Sequence, residues 1–332
     1  MARRFALANG ASFVIAGLVA WLIAANAGLA QTYPSAPIKL VVPYPAGGAG
    51  DMIARLIGDK LAAALGTSVV VLNRPGASGT IGAMAVVTAP PDGYTLLVGH
   101  AGEIAINRHL TQETKYDPDH DLMPVALAGV LPLALVVSGK APYRTVAEML
   151  QFSKENARGL SFASSGTATP AYYAGEMLKL RTRSNLTHVP YAGAVPALND
   201  LLGGHVDLFF SGYLPAAAHV QSGALKLLAF SSSARSSLAP DIPTVAEASG
   251  IEGFDITIWM GFFLPRGTPD AIAARLNTEI NKIVAMPDVQ KKLAEQGAEA
   301  VPRTIEQFAA FVKAESEKYR NIIKDVSVDR PK

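Results

Sequence analysis

Short apolar runs alternate with longer stretches of mixed polarity along most of the chain. The apolar runs have the length and the β-branched content of buried strands. They are Ile38–Val42, Ser68–Leu72, Tyr94–Val98, Leu131–Val137, Leu160–Ala163, Leu186–Tyr191, Val206–Phe210, Leu225–Phe230 and Ile256–Leu264. Helical patterns lie between most of these runs. The alternation predicts an α/β architecture with largely parallel sheets.

Several helix ends are marked by residues that supply or stop backbone hydrogen bonds. Thr145-x-x-Glu148 and Thr304-x-x-Gln307 have the spacing of capping boxes. Pro170 is expected at a helix start, and Gly203-Gly204 is expected to end a helix. Asp51 opens a helical pattern and is typical of an N-cap, which would hold the preceding loop in shape. A direct ligand contact is the alternative for this carboxylate.

The first thirty residues have the pattern of an export signal. Arg3 and Arg4 are followed by an apolar run from Ala11 to Ala25 and by the small residues of Gly28-Leu29-Ala30. This order predicts a Sec-type signal peptide over residues 1–30. A retained N-terminal anchor is the alternative, although the apolar run is short for a membrane span.

Removal of this leader makes the chain electrically neutral. The full sequence has 29 Lys+Arg and 27 Asp+Glu, and the leader contributes two arginines and no acid, which leaves 27 of each. Neutrality argues against nucleic acid as a partner. With 0 cysteines, the chain has neither disulfides nor a lipoprotein anchor. We therefore expect a soluble periplasmic protein of two domains.

Sequence signatures of catalysis and of metal binding are weak. The chain has no GxSxG, no HExxH and no P-loop lysine, and Gly76–Thr80 lacks the last glycine of a nucleophile elbow. Asp117–Asp121 has cation-binding residue types but is better interpreted as a solvated turn. We expect no enzyme activity, cofactor or metal. A dispersed hydrolase site, with Ser164 or Ser165 beside His188 or His205, stays open.

Five strand-to-helix loops are instead rich in small residues. They are Pro43–Asp51, Gly99–Glu103, Ser164–Thr169, Tyr191–Ala194 and Ser211–Tyr213. Ligands of α/β proteins bind beyond the carboxyl ends of the strands, so these loops are expected to converge. None contains Lys or Arg, so a bound carboxylate would be held by main-chain N–H groups, hydroxyls and helix N-termini.

Each loop also has a purely structural interpretation. Gly47 and Gly48 would then only permit a tight turn. Ser164, Ser165 and Thr169 would cap the next helix. Glu103 would be an exposed acid in a first helical turn.

Several segments together resemble one family, the Bug-type solute-binding receptors of tripartite tricarboxylate transporters. The segments are Tyr33–Ile38, Val41–Gly48 with Asp51, Asn73–Gly79, Pro91–Leu97, Ala163–Gly166, His188–Tyr191, Leu201–Asp207, Asp241–Glu247 and Pro265–Pro269. Any single segment is weak evidence, whereas their number and order make the resemblance strong. It extends over essentially the whole chain after the leader.

The resemblance implies a type II periplasmic-binding-protein fold, in which two α/β domains joined by two crossing strands close on a ligand. The crossing strands would lie near Val125–Leu131 and Phe254–Leu264. One domain would comprise residues 31–128 with 256–332, and the other residues 129–255. With the small-residue loops, it suggests as ligand-binding residues Tyr44, Ala46, Gly47, Gly48, Asp51, His100, Glu103, Ser164, Ser165, Gly166, Thr169, Tyr191, Ala192 and Ser211.

Departures from the family pattern bear on the ligand. Ala49 and Gly50 stand where a hydroxyl residue is common. Ala192 stands where the family often has Lys or Arg, and Ser211 stands where it often has an acid. His100 and Glu103 stand in a loop where relatives tend to have small hydroxyl residues. If Glu103 faces the ligand, it would pair with a hydroxyl, amide or amine and repel a second carboxylate. We therefore expect a monocarboxylate with a polar or cationic second group, rather than citrate.

The functional expectation is a monomeric periplasmic receptor without chemistry of its own. It would capture a small organic carboxylate between two lobes and deliver it to the membrane subunits of a tripartite tricarboxylate-type transporter. A ligand sensor for a membrane kinase and the exported hydrolase are the alternatives.

Overall fold

The structure, a computed structural model, describes residues 33–110, 115–236, 239–295 and 297–328. Its strands are β1 (Ile38–Val42), β2 (Val69–Asn73), β3 (Thr95–His100), β4 (Leu122–Ser138), β5 (Leu160–Ser164), β6 (Leu186–Pro190), β7 (Leu208–Gly212), β8 (Leu225–Phe230) and β9 (Thr257–Pro265). Its α-helices are α1 (Ala49–Leu65), α2 (Thr80–Val87), α3 (Pro118–Asp121), α4 (Val146–Glu155), α5 (Pro170–Thr182), α6 (Ala194–Gly203), α7 (Tyr213–Gln221), α8 (Val245–Ser249), α9 (Asp270–Val284), α10 (Pro287–Glu295) and α11 (Ile305–Val328). The α/β prediction is confirmed.

The strands form one path in the order β2-β1-β3-β9-β4-β7-β5-β6, with β8 also paired to β4. In the first half-sheet, β1 lies parallel to β2 and β3, while β9 is antiparallel to β3 and to residues 122–132 of β4. In the second half-sheet, β5 lies parallel to β6 and β7, and residues 133–138 of β4 are antiparallel to β7 and β8. The sheet is therefore mixed rather than largely parallel, because β4 and β9 run against their neighbours.

Two segments connect the half-sheets. The sequence suggested a crossing strand near Val125–Leu131 and a separate strand at Leu131–Val137, but β4 runs through both without a break. The second connection precedes β9 and contains Phe254, whose ring stacks on Phe210 of β7 at 6.2 Å between centroids. β4 and β9 occupy the positions predicted for the two crossing strands with shifted ends, and within the described residues β9 pairs only with β3 and with residues 122–132 of β4.

The first helix shows why these segments fold as they do. The side chains of Ile53, Ile57 and Leu61 recur at helical spacing and are fully buried. Each contributes about 1.5–3 kcal/mol from burial. The helix ends at Gly66, whose φ of 67° lies in the left-handed region and whose N–H bonds to Ala62 O. Apolar spacing and a terminal glycine therefore set its length.

The predicted caps are mostly confirmed. The Thr304 hydroxyl accepts from the Gln307 N–H at 3.2 Å, and the Gln307 side chain accepts from the Thr304 N–H at 3.0 Å. Thr145 caps α4 in the same way, but the Glu148 carboxylate bonds to the N–H of Arg144 instead of closing the box on Thr145.

The described residues from Pro37 onward form one compact unit, and residues 33–36 belong to a separate N-terminal unit. The predicted signal peptide lies outside the described residues. Within the described ranges, no helix is both long and apolar enough to cross a membrane. The division into two domains at residues 128 and 255 stays a prediction.

Candidate ligand-binding site

A cavity of about 90 Å³ lies at the carboxyl ends of the strands, between the two half-sheets. All five small-residue loops contribute to it, so the expected convergence is present. The cavity is lined by Tyr44, Pro45, Gly48, Ala49, Gly50, Asp51, His100, Leu133, Ser165, Thr169, Pro170, Ala171, Ala194, Val195, Phe209, Phe210, Gly212, Pro215 and Ile258. Neither Lys nor Arg is among these residues.

Four helices begin at this cavity: α1, α5, α6 and α7. We call their first turns the N-terminal rim. Thr169 caps α5 with its side chain. The N-cap residues of α1, α6 and α7 are Gly48, Gly193 and Gly212, and none of them caps the helix with a side chain. First-turn amides point away from a helix start and carry partial positive charge, so the rim favours an anion.

Asp51 fixes the loop that precedes α1. Its carboxylate accepts hydrogen bonds from the main-chain N–H of Gly47 at 3.1 Å, from Arg55 at 3.0 Å and from Asn73 at 3.0 Å. Burial by itself would raise the pKa of Asp51, but these hydrogen bonds lower it, so the carboxyl is ionised at neutral pH. The N-cap prediction is wrong, because Gly48 is the cap and Asp51 lies within the first turn. The expected support of the loop is confirmed.

Glu103 lies behind the cavity surface. It is 0% exposed, and its carboxylate accepts from the His100 N–H at 2.6 Å and from the Tyr44 hydroxyl at 3.3 Å. Burial raises the pKa of Tyr44 well above its usual value, and the charge of Glu103 adds to this effect. The interpretation of Glu103 as an exposed acid is therefore wrong. Tyr44 and His100 line the cavity, and Glu103 does not.

The imidazole of His100 packs against the start of α1. Its Nδ1 lies 3.4 Å from Glu103 Oε1, too poorly placed for a hydrogen bond, and has no other partner in the described part of the chain. On the other side of the ring, a Cβ atom at Gly50 would overlap Nε2. The departure at Gly50 thus has a steric reason, since only glycine leaves room for His100.

Ser164 and Thr169 hold the loop that precedes α5. The Ser164 hydroxyl lies 2.9 Å from Gly166 O and 2.7 Å from His188 Nε2. The Thr169 hydroxyl donates to Gly166 O at 2.7 Å and accepts from the α5 amide of Tyr172. Ser165, the remaining hydroxyl of this loop, lines the cavity.

The Ser164–His188 contact is the pair that the hydrolase alternative required. Burial lowers the pKa of His188 to about 4, and the charge of Lys179 adds to this effect, so the ring is neutral at pH 7. The carbonyl of Gly166 can only accept, so the single hydroxyl proton of Ser164 is donated to it. The Ser164 oxygen then accepts the hydrogen bond from His188, which donates from Nε2. Ser164 is 0% exposed and does not line the cavity, which favours a structural role over that of a nucleophile.

Comparison with known proteins gives the family. The model of the tripartite tricarboxylate transporter family receptor, TctC, matches residues 53–328. The chain belongs to this family. A UPF0065 protein in the tcbD-tcbE intergenic region of Pseudomonas sp. (strain P51) is 39% identical over 293 residues, covering 88% of this chain and 87% of the relative.

Solved structures confirm the expected periplasmic-binding-protein fold of this TctC-family chain. The structure of R. palustris Rpa4515 with adipate has a TM-score of 0.86 at 32% identity and covers 89% of this chain and 98% of that one. The periplasmic binding protein BugD has a TM-score of 0.84 at 34% identity, covering 90% and 100%. The Bug-type resemblance is therefore confirmed, and the family consists of periplasmic solute-binding receptors of transporters.

The candidate ligand-binding residues of this TctC-family chain fall into three groups. Tyr44, Gly48, Asp51, His100, Ser165 and Thr169 line the cavity. Gly166, Tyr191 and Ala192 line a neighbouring crevice of about 520 Å³, which Tyr44 and Ser165 share. Ala46, Gly47, Glu103, Ser164 and Ser211 line neither. A ligand contact of any of these residues stays a prediction.

The residues outside the cavity have visible structural partners. The Tyr191 hydroxyl donates to Asp200 at 2.7 Å, and burial together with this bond raises its pKa to about 12. The Ser211 hydroxyl donates to the carbonyl of Gly212 at 2.9 Å. Asp117, in the turn considered for cations, caps α3 and pairs with Arg108. Within the described ranges, no acid or histidine cluster could hold a metal ion.

Sequence reasoning missed the apolar lining. Leu133, Phe209, Phe210 and Ile258 belong to β4, β7 and β9, and their apolar runs look like those of any buried strand. No sequence signal separates them from core residues. Ala194 and Gly212 lay within predicted loops, and the helix starts that follow those loops were the available signal.

Proposed function

We propose that this chain is a periplasmic receptor that captures a small organic carboxylate in the cavity and delivers it to membrane subunits of a tripartite tricarboxylate-type transporter. It acts as a monomer without enzyme activity or cofactor, and residues 1–30 direct its export. One observation carries the proposal: the N-termini of α1, α5, α6 and α7 meet at a cavity whose lining contains neither Lys nor Arg.

This geometry suits a carboxylate for two reasons. First-turn amides supply hydrogen-bond donors that no N-cap side chain occupies at α1, α6 and α7. Helix starts also stabilise a negative charge, by about 0.3–1 kcal/mol each at exposed sites and more where water is excluded. The adipate in the structure of Rpa4515 shows that a family member of this fold takes a carboxylate.

Calorimetry with an acid and its amide tests the proposal directly. Benzoate and benzamide have the same body, so their affinity difference isolates the charge. We expect the acid to bind at least tenfold more tightly and to be recovered unchanged, because a receptor does not turn over its ligand. Equal binding of the amide, or hydrolysis of an ester analogue, would refute the proposal.

The variant Ser165→Ala tests the position of the site. It removes a hydroxyl that lines the cavity and should weaken acid binding by about 1 kcal/mol. Ser222→Ala is the matched control, since Ser222 is exposed beyond the far end of α7. An equal loss in both variants would place the acid elsewhere.

A further inference from the structure

Much of the side-chain surface of the cavity is apolar. Its apolar wall consists of Leu133, Val195, Phe209, Phe210, Pro215 and Ile258. Leu133, Phe209 and Phe210 are buried in the strands, whereas Val195 in the first turn of α6 is 40% exposed. An exposed aliphatic side chain in a cleft otherwise built of apolar groups indicates a surface that a ligand covers.

Most polar side chains of the cavity already have partners. Asp51 is held by Arg55 and Asn73, and the Tyr44 hydroxyl is bonded to Glu103. Thr169 is bonded to the Gly166 carbonyl. The polar groups that remain for a ligand are the Ser165 hydroxyl, the His100 ring and the main-chain amides of the N-terminal rim. This set of donors suffices for one carboxylate.

A second carboxylate would find neither Lys nor Arg on this surface. The nearby guanidinium of Arg55 is paired with Asp51 at 3.0 Å. The ionised Asp51 would repel it, and the apolar wall offers it no hydrogen bond. Glu103, which is buried behind the cavity surface, is also an acid and would not attract a second carboxylate.

The geometry points to a compact monocarboxylate with an apolar ring or a branched aliphatic body, which the cavity selects over di- and tricarboxylates. The inference rests on the proposed capture of carboxylates and names their class. The carboxylate lies at the N-terminal rim, and the body packs on the apolar wall. The sequence-based expectation of a polar or cationic second group is not supported, because Glu103 does not line the cavity.

Calorimetry on the dialysed full-length mature chain tests this class with benzoate, 3-methylbutanoate, adipate, citrate and benzamide. We expect benzoate or 3-methylbutanoate to bind at least tenfold more tightly than adipate and citrate. Tighter binding of adipate or citrate overturns the inference and leaves carboxylate capture intact. Binding of benzamide as tight as benzoate, or no binding of any acid, overturns both.

A pair of isosteric variants locates the selectivity on the apolar wall. Val195→Thr exchanges one methyl of the wall for a hydroxyl and should weaken the apolar acids about fourfold without weakening adipate. Val301→Thr makes the same exchange at a 61% exposed side chain that does not line this cavity, and should change nothing. Unchanged affinity of the apolar acids for Val195→Thr would overturn the assignment of the wall.

Discussion

The N-terminal rim and the apolar wall enclose the same cavity but are built mainly from different parts of the chain, since Val195 and Pro215 are the wall residues that lie in first helical turns. The rim consists of loops and first helical turns, in which glycines leave backbone amides exposed to a ligand. The wall consists mainly of strand side chains that also belong to the core. The difference indicates a division of labour: the rim would bind any carboxylate, and the wall would decide which body the carboxylate has.

The largest effect is expected from Asp51→Ala, which breaks the rim. The change removes a carboxylate that orders the Pro43–Gly48 loop through Gly47 and Asn73. We expect a loss of about 2–3 kcal/mol in unfolding free energy and a similar loss of affinity for monocarboxylic acids. Urea unfolding and calorimetry measure the two losses.

The control for this variant is Asp288→Ala, which removes an exposed partner of Lys60 and should have no measurable effect. The pH dependence gives a second check. Because the folded pKa of Asp51 is lowered, its contribution is present at neutral pH and is lost as the pH falls below about 4. Retention of ligand affinity by Asp51→Ala would contradict the role of the loop.

Gly50→Ala is expected to act next most strongly, at the corner where the rim meets His100. The added Cβ overlaps the imidazole, so the ring must leave its position on the cavity surface. We expect a loss of about 1–3 kcal/mol in stability. The double variant Gly50→Ala with His100→Ala should regain most of it, and simple additivity of the two single losses in thermal unfolding would rule out this steric explanation.

Phe210→Leu changes the wall and leaves the rim intact. Phe210 is fully buried and stacks on Phe254, so the smaller side chain should cost about 1–2 kcal/mol of stability. It also enlarges the cavity, and we expect calorimetry to show a shift of preference from small acids to bulkier ones. A uniform loss for all acids would mean that rim and wall are not separable.

The smallest effect concerns His188, beneath the rim. Its folded pKa of about 4 lies below the usual value of about 6.5, so the unfolded chain binds the proton first as the pH falls. As the pH falls from about 6.5 to about 4, the free energy of unfolding should therefore decrease by about 1 kcal/mol, a value reduced for solvent screening of this half-buried ring. His188→Gln should flatten this part of the stability curve measured by urea unfolding, and an unchanged slope would contradict the assignment.

The sequence predicted the rim far better than the wall. Glycine, serine and helix-start signals act locally, which is why the five loops and the cap of Thr304 were found from the chain alone. Leu133 and Ile258 belong to the cavity only because β4 and β9 bring them next to the loops. Such a position depends on tertiary contacts, which a run of apolar residues does not encode.

Two further differences between the sequence prediction and the structure also arise from tertiary contacts. The continuity of β4 through Pro124 and Pro132 depends on its pairing with β9 along residues 122–132. The buried carboxylate of Glu103 is hydrogen-bonded to Tyr44, which lies 59 residues away in sequence. Neither partner was visible from local sequence.

The helix starts without a side-chain cap at Gly48, Gly193 and Gly212 have a consequence for the protein before it meets its ligand. In water, these amides are satisfied by solvent and exchange their hydrogens readily. A carboxylate bound among these amides would accept their hydrogen bonds and so cap three helices, as a serine or aspartate side chain does at an ordinary N-cap. Ligand binding should therefore slow deuterium uptake at the first turns of these three helices, because the bound solute completes their hydrogen bonds.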